Sequence, residues 1–144
     1  MKQIRTEITI NASAERVWSV FSDLEKFPDW NPLITRASGD LRQGGQLDIY
    51  MEPPGGKAMG FKTTILKVEP NQELRWQGVF LHKILFSGHH YFMIEPQGDD
   101  QVIFVHGENF GGIMLPFMGS MLNKVAKGFS DMNRALKARV ESGS

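Results

Sequence analysis

The chain has 144 residues, and 16 Lys and Arg balance 16 Asp and Glu, so the formal net charge is zero. That length suits one domain with one core, and the charge balance speaks against nucleic acid, whose binders carry a basic excess. The absence of cysteine excludes a disulfide scaffold, a thiolate metal site and a cysteine nucleophile.

At the N terminus, Met1 to Glu7 lack the apolar centre of a signal peptide. Ile4, Thr6, Ile8 and Ile10 alternate with polar residues, the period of a strand. Asn11-Ala12-Ser13 ends it, and Ser13 caps a short helix over 14–23 carrying Val17, Val20, Phe21 and Leu24 at helical spacing. Phe27-Pro28-Asp29-Trp30-Asn31-Pro32 holds two prolines, which allow one helical turn or a tight loop.

From about 33 to 110 the pattern is strand, turn, strand. Breaks at Gly39-Asp40, Gly44-Gly45, Pro53-Pro54-Gly55-Gly56, Pro70-Asn71, His82-Lys83 and Gly98-Asp99-Asp100 divide it into about six strands that pair antiparallel. Beyond Gly111-Gly112 the period changes. Met114, Met118, Met121, Leu122, Val125, Phe129, Met132, Leu136 and Val140 recur at three and four, opposite Lys124, Lys127, Arg134 and Lys137. This predicts an amphipathic helix over 115–141, roughly 40 Å long, with Pro116 in its first turn. No apolar run approaches the ~18 residues of a membrane span, so the expectation is a cytoplasmic protein with no integral membrane segment, one domain over 1–144.

The expected fold class is α+β. A seven-stranded antiparallel sheet has one apolar face to cover, and only the last helix is long enough to cover it. Two short helices lie between strands one and two. A sheet curved around a helix in this way leaves space between them.

In element order and local pattern the whole chain resembles the SRPBCC, or START-like, helix-grip superfamily, and within it the small bacterial polyketide-cyclase-like proteins. The residues carrying the resemblance are Ala14-Glu15-Arg16-Val17-Trp18, Trp30-Asn31-Pro32, Val68-Glu69-Pro70 with Leu74-Arg75-Trp76, Gly88-His89-His90-Tyr91-Phe92, and His106-Gly107-Glu108-Asn109-Phe110 with Gly112. The resemblance implies a hydrophobic cavity between sheet and helix. It does not imply one reaction, because this fold hosts carriers, receptors, cyclases and co-chaperones.

The strands over 84–96 and 101–110 hold the candidate chemistry. Alternation puts Gly88, His90, Phe92 and Ile94 on one face of the first, and Phe104, His106, Glu108 and Phe110 on one face of the second. Pairing the apolar residues sets Phe92 opposite Phe104, His90 opposite His106 and Gly88 opposite Glu108. His90, His106 and Glu108 then share the inner face. Three roles fit them: solvated groups at a cavity mouth, hydrogen-bond partners of a ligand, or, in an enzyme, an acid/base set for an aldol-type cyclisation. No HxH or HxxxH spacing supports a metal, and adjacent His89 and His90 point to opposite faces.

The 10 Phe and 8 Met are numerous for a chain only 41% hydrophobic. Placed on inward faces, such large, adaptable side chains wall a cavity or pack a core. The candidate ligand-binding residues are Trp30, Phe61, Trp76, His90, Phe92, Phe104, His106, Met118, Met121, Leu122 and Val125. Trp30-Asn31-Pro32 reads either as a structural turn or as a gate. The chain has no phosphate loop, dinucleotide fingerprint or GxSxG elbow, and no cofactor is implied. The leading expectation is a carrier or sensor of a small hydrophobic molecule, lipid-, polyketide- or quinone-like. A cyclase/aromatase and a co-chaperone-like interaction module are the alternatives.

Overall fold

The computed structural model describes residues 2–80 and 86–143. Strand β1 (Lys2–Ile10) leads to helix α1 (Ala14–Phe21), a 3-10 turn (Leu24–Lys26) and the single turn α2 (Phe27–Trp30). Six strands follow: β2 (Ile34–Gly39), β3 (Gln46–Met51), β4 (Met59–Glu69), β5 (Glu73–Phe80), β6 (Phe86–Pro96) and β7 (Val102–Gly111). A 3-10 turn (Leu115–Phe117) precedes helix α3 (Gly119–Glu141). The seven strands form one sheet in the order β1-β7-β6-β5-β4-β3-β2, antiparallel throughout. This is the helix-grip arrangement.

Local signals explain the elements. Ser13 caps α1 by accepting from the Arg16 amide at 3.1 Å. Asn31, buried, ends α2 and takes the amides of Leu33 and Ile34 on its side-chain oxygen at 3.0 and 2.8 Å. Trp30-Asn31-Pro32 is thus the turn that launches β2. The expected break at His82-Lys83 lies outside the described residues.

Helix α3 buries Leu122, Val125, Phe129, Met132, Leu136 and Val140 against the sheet. Gly128 permits the close approach, since a Cβ there would meet Leu33 Cδ1 at 2.6 Å. The helix starts later than the sequence pattern predicts. Pro116 sits in the separate 3-10 turn, and Met118, at φ −113° and ψ 15°, interrupts the helical run. The 23-residue helix is about 34 Å long rather than 40 Å, and Met114, at the head of the stripe, is exposed instead of inward.

The β6–β7 register also differs from the sequence expectation. Phe92 opposes His106, His90 opposes Glu108, and Gly88 opposes Phe110, a shift of two residues. The Gln97 amide donates to the Gln101 carbonyl at 2.7 Å, and Gly98 turns the chain at φ +105°. That turn sets the register. A two-residue shift leaves every side chain on its own face, so the apolar alternation is equally satisfied by both pairings.

Candidate functional site

The space between sheet and helix divides into a filled end and a hollow end. At the filled end Phe21, Phe92, Phe104 and Phe129 are all buried, with Phe21 4.7 Å from Phe92 and 5.5 Å from Phe104 between ring centroids. At the hollow end a cavity of about 170 Å³ lies between β3–β7 and the start of α3. Its floor follows from register. Gly78 and Gly88 are paired neighbours on the inner face of β5 and β6, so two side chains are missing from the sheet there. Phe61, Met118, Met121 and Val125 form walls, and Glu108 is the one ionisable residue in the lining among the described residues.

Glu108 ends a buried polar chain. Its Oε1 lies 3.3 Å from Nδ1 of His90. His90 Nε2 lies 2.7 Å from His106 Nε2, and His106 Nδ1 lies 3.0 Å from Oδ1 of Asn133 on α3. The Asn133 amide donates to Thr6 Oγ1 at 2.8 Å, and the Thr6 hydroxyl donates to the His106 carbonyl at 2.7 Å. The two imidazoles are sandwiched in aromatic rings: Phe129 stacks on His106 at 4.0 Å, and Phe92 on His90 at 4.5 Å.

These surroundings favour the uncharged form of each titratable group in this row. Burial lifts the Glu108 carboxyl from 4.5 to about 8. Burial likewise pushes His106 down to about 3, against the raising effect of its bond to Asn133. His90 is held well below its usual 6.5 by burial first and then by the neighbouring His106 and His89. A carboxylic acid that stays neutral at pH 7 and faces an apolar space can both orient a ligand and give or take a proton.

The structure therefore brings His90, His106 and Glu108 together, but not at a solvated mouth. His90 and His106 are 1% and 0% exposed, and only the Glu108 side chain, at 13%, reaches the cavity. Of the candidate ligand-binding residues, Phe61, Met118, Met121 and Val125 line the hollow. Trp76, Phe92, Phe104 and Leu122 are buried in the core and do not line that hollow: Phe92 and Phe104 pack on Phe21 of α1, and Trp76 packs on Phe92 and His90. Trp30 packs edge-on against Phe27 at 5.3 Å, away from the cavity. The sequence pattern places Gly88 on the inner face but does not mark it, Thr6, Asn133 or Gly78 as a site residue. Their signals are local: Asn133 falls at i+4 from Phe129 in the apolar stripe, Thr6 sits among inward isoleucines, and the two glycines occupy inward strand positions.

Comparison with known proteins places this geometry. No curated protein matches the chain in sequence. Among solved structures, the Zhui aromatase/cyclase of a Streptomyces species superposes with a TM-score of 0.80 at 12% identity, over 97% of this chain and 93% of that one. A START superfamily protein from Mycobacterium smegmatis gives 0.78 at 25% identity, over 99% of each chain. Norcoclaurine synthase from Thalictrum flavum, solved with dopamine and hydroxybenzaldehyde, gives 0.73 at 17% identity, over 99% of this chain and 88% of that one. No helix among the described residues is long and apolar enough to cross a membrane. The sequence model described as polyketide cyclase / dehydrase and lipid transport matches residues 1–141, so the helix-grip chain with its buried Glu108–His90–His106 row belongs to that family.

Proposed function

We propose that the protein binds a small hydrophobic molecule in the hollow between the sheet and the start of α3. The observation that carries this reading is the cavity itself, an apolar hollow whose wall holds a single ionisable group among the described residues. A volume of about 170 Å³ is on the scale of cavities that hold one benzene-sized ring. The bound portion of the ligand is therefore one ring or a short chain, and a larger lipid-, polyketide- or quinone-like molecule extends beyond the hollow.

The test is native mass spectrometry of the protein purified from its own cells, beside the Val125→Phe variant, whose larger side chain fills the hollow. A small molecule carried by the natural chain and lost from the variant supports the reading. An empty natural chain that also takes up no single-ring aromatic compound overturns it. Partner proteins captured by that empty chain would favour the co-chaperone-like alternative.

The neutral Glu108 acid favours a second reading, an enzyme of the cyclase type. Glu108 would take a proton from the substrate on the oxygen facing the hollow, with His90 Nδ1 behind it to receive the carboxyl's own proton. Under this reading Glu108→Gln abolishes turnover of the bound molecule while leaving its affinity within a fewfold. A molecule that leaves the protein chemically unchanged argues for the carrier.

A further inference from the structure

We propose that the cavity selects a ring bearing a hydrogen-bond donor, a phenol-type hydroxyl above all, which Oε2 of Glu108 accepts. This deepens the cavity reading and rests on it. Along the polar chain, from its far end inward, each proton is fixed in turn.

The Thr6 hydroxyl is committed as donor to the His106 carbonyl, so its oxygen can only accept from Asn133. That orients the Asn133 amide, with Nδ2 toward Thr6 and Oδ1 toward His106. An amide oxygen only accepts, so His106 carries its proton on Nδ1. A neutral His106 then has a bare Nε2, and the 2.7 Å contact requires the proton on Nε2 of His90. His90 Nδ1 is left facing Oε1 of Glu108 at 3.3 Å, with one proton to share between them.

That proton sits on Oε1 or on His90 Nδ1. A proton on Oε2 instead would leave two lone pairs facing each other across the Oε1–Nδ1 contact, in a dry site where such repulsion is strong. In both allowed states Oε2 carries no hydrogen, as a carbonyl oxygen in one and a carboxylate oxygen in the other. It is an acceptor either way.

Oε2 is also the oxygen turned toward the hollow. It lies over Gly88, where an added Cβ would come within 1.9 Å of it, and both residues are in the cavity lining. No side chain or backbone group among the described residues bonds to it. The other lining side chains among the described residues are apolar. A ring with a donor finds one partner there. A ring with only an acceptor finds none and leaves its own polar atom unpaired.

The test compares phenol, toluene and benzaldehyde by isothermal titration calorimetry on the full chain. Phenol and toluene differ only by hydroxyl against methyl, and benzaldehyde offers an acceptor alone. The expected result is phenol binding about tenfold more tightly than toluene, with benzaldehyde no tighter than toluene. In Glu108→Leu the preference for phenol disappears. Gly88→Ala, which displaces the carboxyl without removing it, shrinks the preference in the same direction. Equal binding of phenol and toluene by the natural chain overturns the donor proposal and leaves the cavity standing. Binding of none of the three overturns both. The comparison on the natural chain decides the matter even if a variant does not fold, and a phenol preference that survives Glu108→Leu removes Glu108 as the acceptor.

Discussion

The two ends of the sheet–helix interface are built from the same kind of element and have opposite outcomes. At one end α1 closes over the sheet, and Phe21, Phe92, Phe104 and Phe129 interlock in a solid cluster. At the other, α1 contributes nothing to the lining, two paired glycines hollow the floor, and the side chains above it are Met118, just before α3, with Met121 and Val125 of α3. Rigid rings with a third layer above them fill space. Flexible thioethers over glycines do not. The buried row from Thr6 to Glu108 joins the two ends, anchored in the solid part and presenting one oxygen to the hollow.

The difference is broken most severely at the solid end. Phe104→Ala removes a fully buried ring and should destabilise the fold by about 3–5 kcal/mol, read from the urea unfolding midpoint, with the phenol affinity of the molecules still folded little changed. A comparable loss of affinity without loss of stability would place Phe104 in the binding wall after all.

The buried row makes stability depend on pH with opposite signs. Glu108 is held at about 8 against 4.5, so its contribution is whole below about 4.5 and is lost as pH rises toward 8. His106, at about 3 against 6.5, and His90, also lowered, contribute fully above about 6.5 and are lost as pH falls. The melting temperature should therefore peak a little below neutrality, fall on the alkaline side as the carboxyl ionises, and fall fastest below about pH 4.5, where the imidazoles titrate unopposed by the carboxyl. Glu108→Gln should flatten the alkaline side and steepen the fall between about pH 6.5 and 4.5, where the carboxyl no longer offsets the imidazoles. An unchanged profile in that variant would detach Glu108 from the row.

Asn133→Leu leaves the His106 Nδ1 proton without its acceptor and should cost about 1–3 kcal/mol in the same unfolding measurement. Because it also frees the His106 tautomer, it should weaken the preference for phenol over toluene. Stability lost with the preference intact would make Asn133 a packing residue only. Smallest in stability is Met118→Ala, at the hollow end, expected within about 1 kcal/mol of the natural chain but with severalfold weaker phenol binding. A large destabilisation there would mean that the hollow end is packed like the solid one.

Much of this was legible in the residues. Alternation at Ile4–Ile10 and through the 33–110 region, the Ser13 cap and the apolar stripe of α3 are local patterns, and each forms the element it announces. The faces of His90, His106 and Glu108 were legible for the same reason, since alternation fixes a face without fixing a partner. The exact pairing was not legible, because a shift of two residues preserves every face and the Gly98 turn chooses between pairings. The depth of the two histidines was not legible either. It depends on Phe129 arriving from α3 and Phe92 from the same strand to seal them.

The sequence by itself determined the class of fold, the side of the sheet on which each group lies, and the apolar, adaptable character of the interior. Periodicity is a property of neighbours along the chain, and it needs no knowledge of what packs where. Only the tertiary structure decided which part of that interior is solid and which is hollow. It also decided that Asn133, 27 residues away along the chain, fixes the His106 proton. Close packing and hydrogen bonding depend on distances between residues that the chain brings together only when it folds.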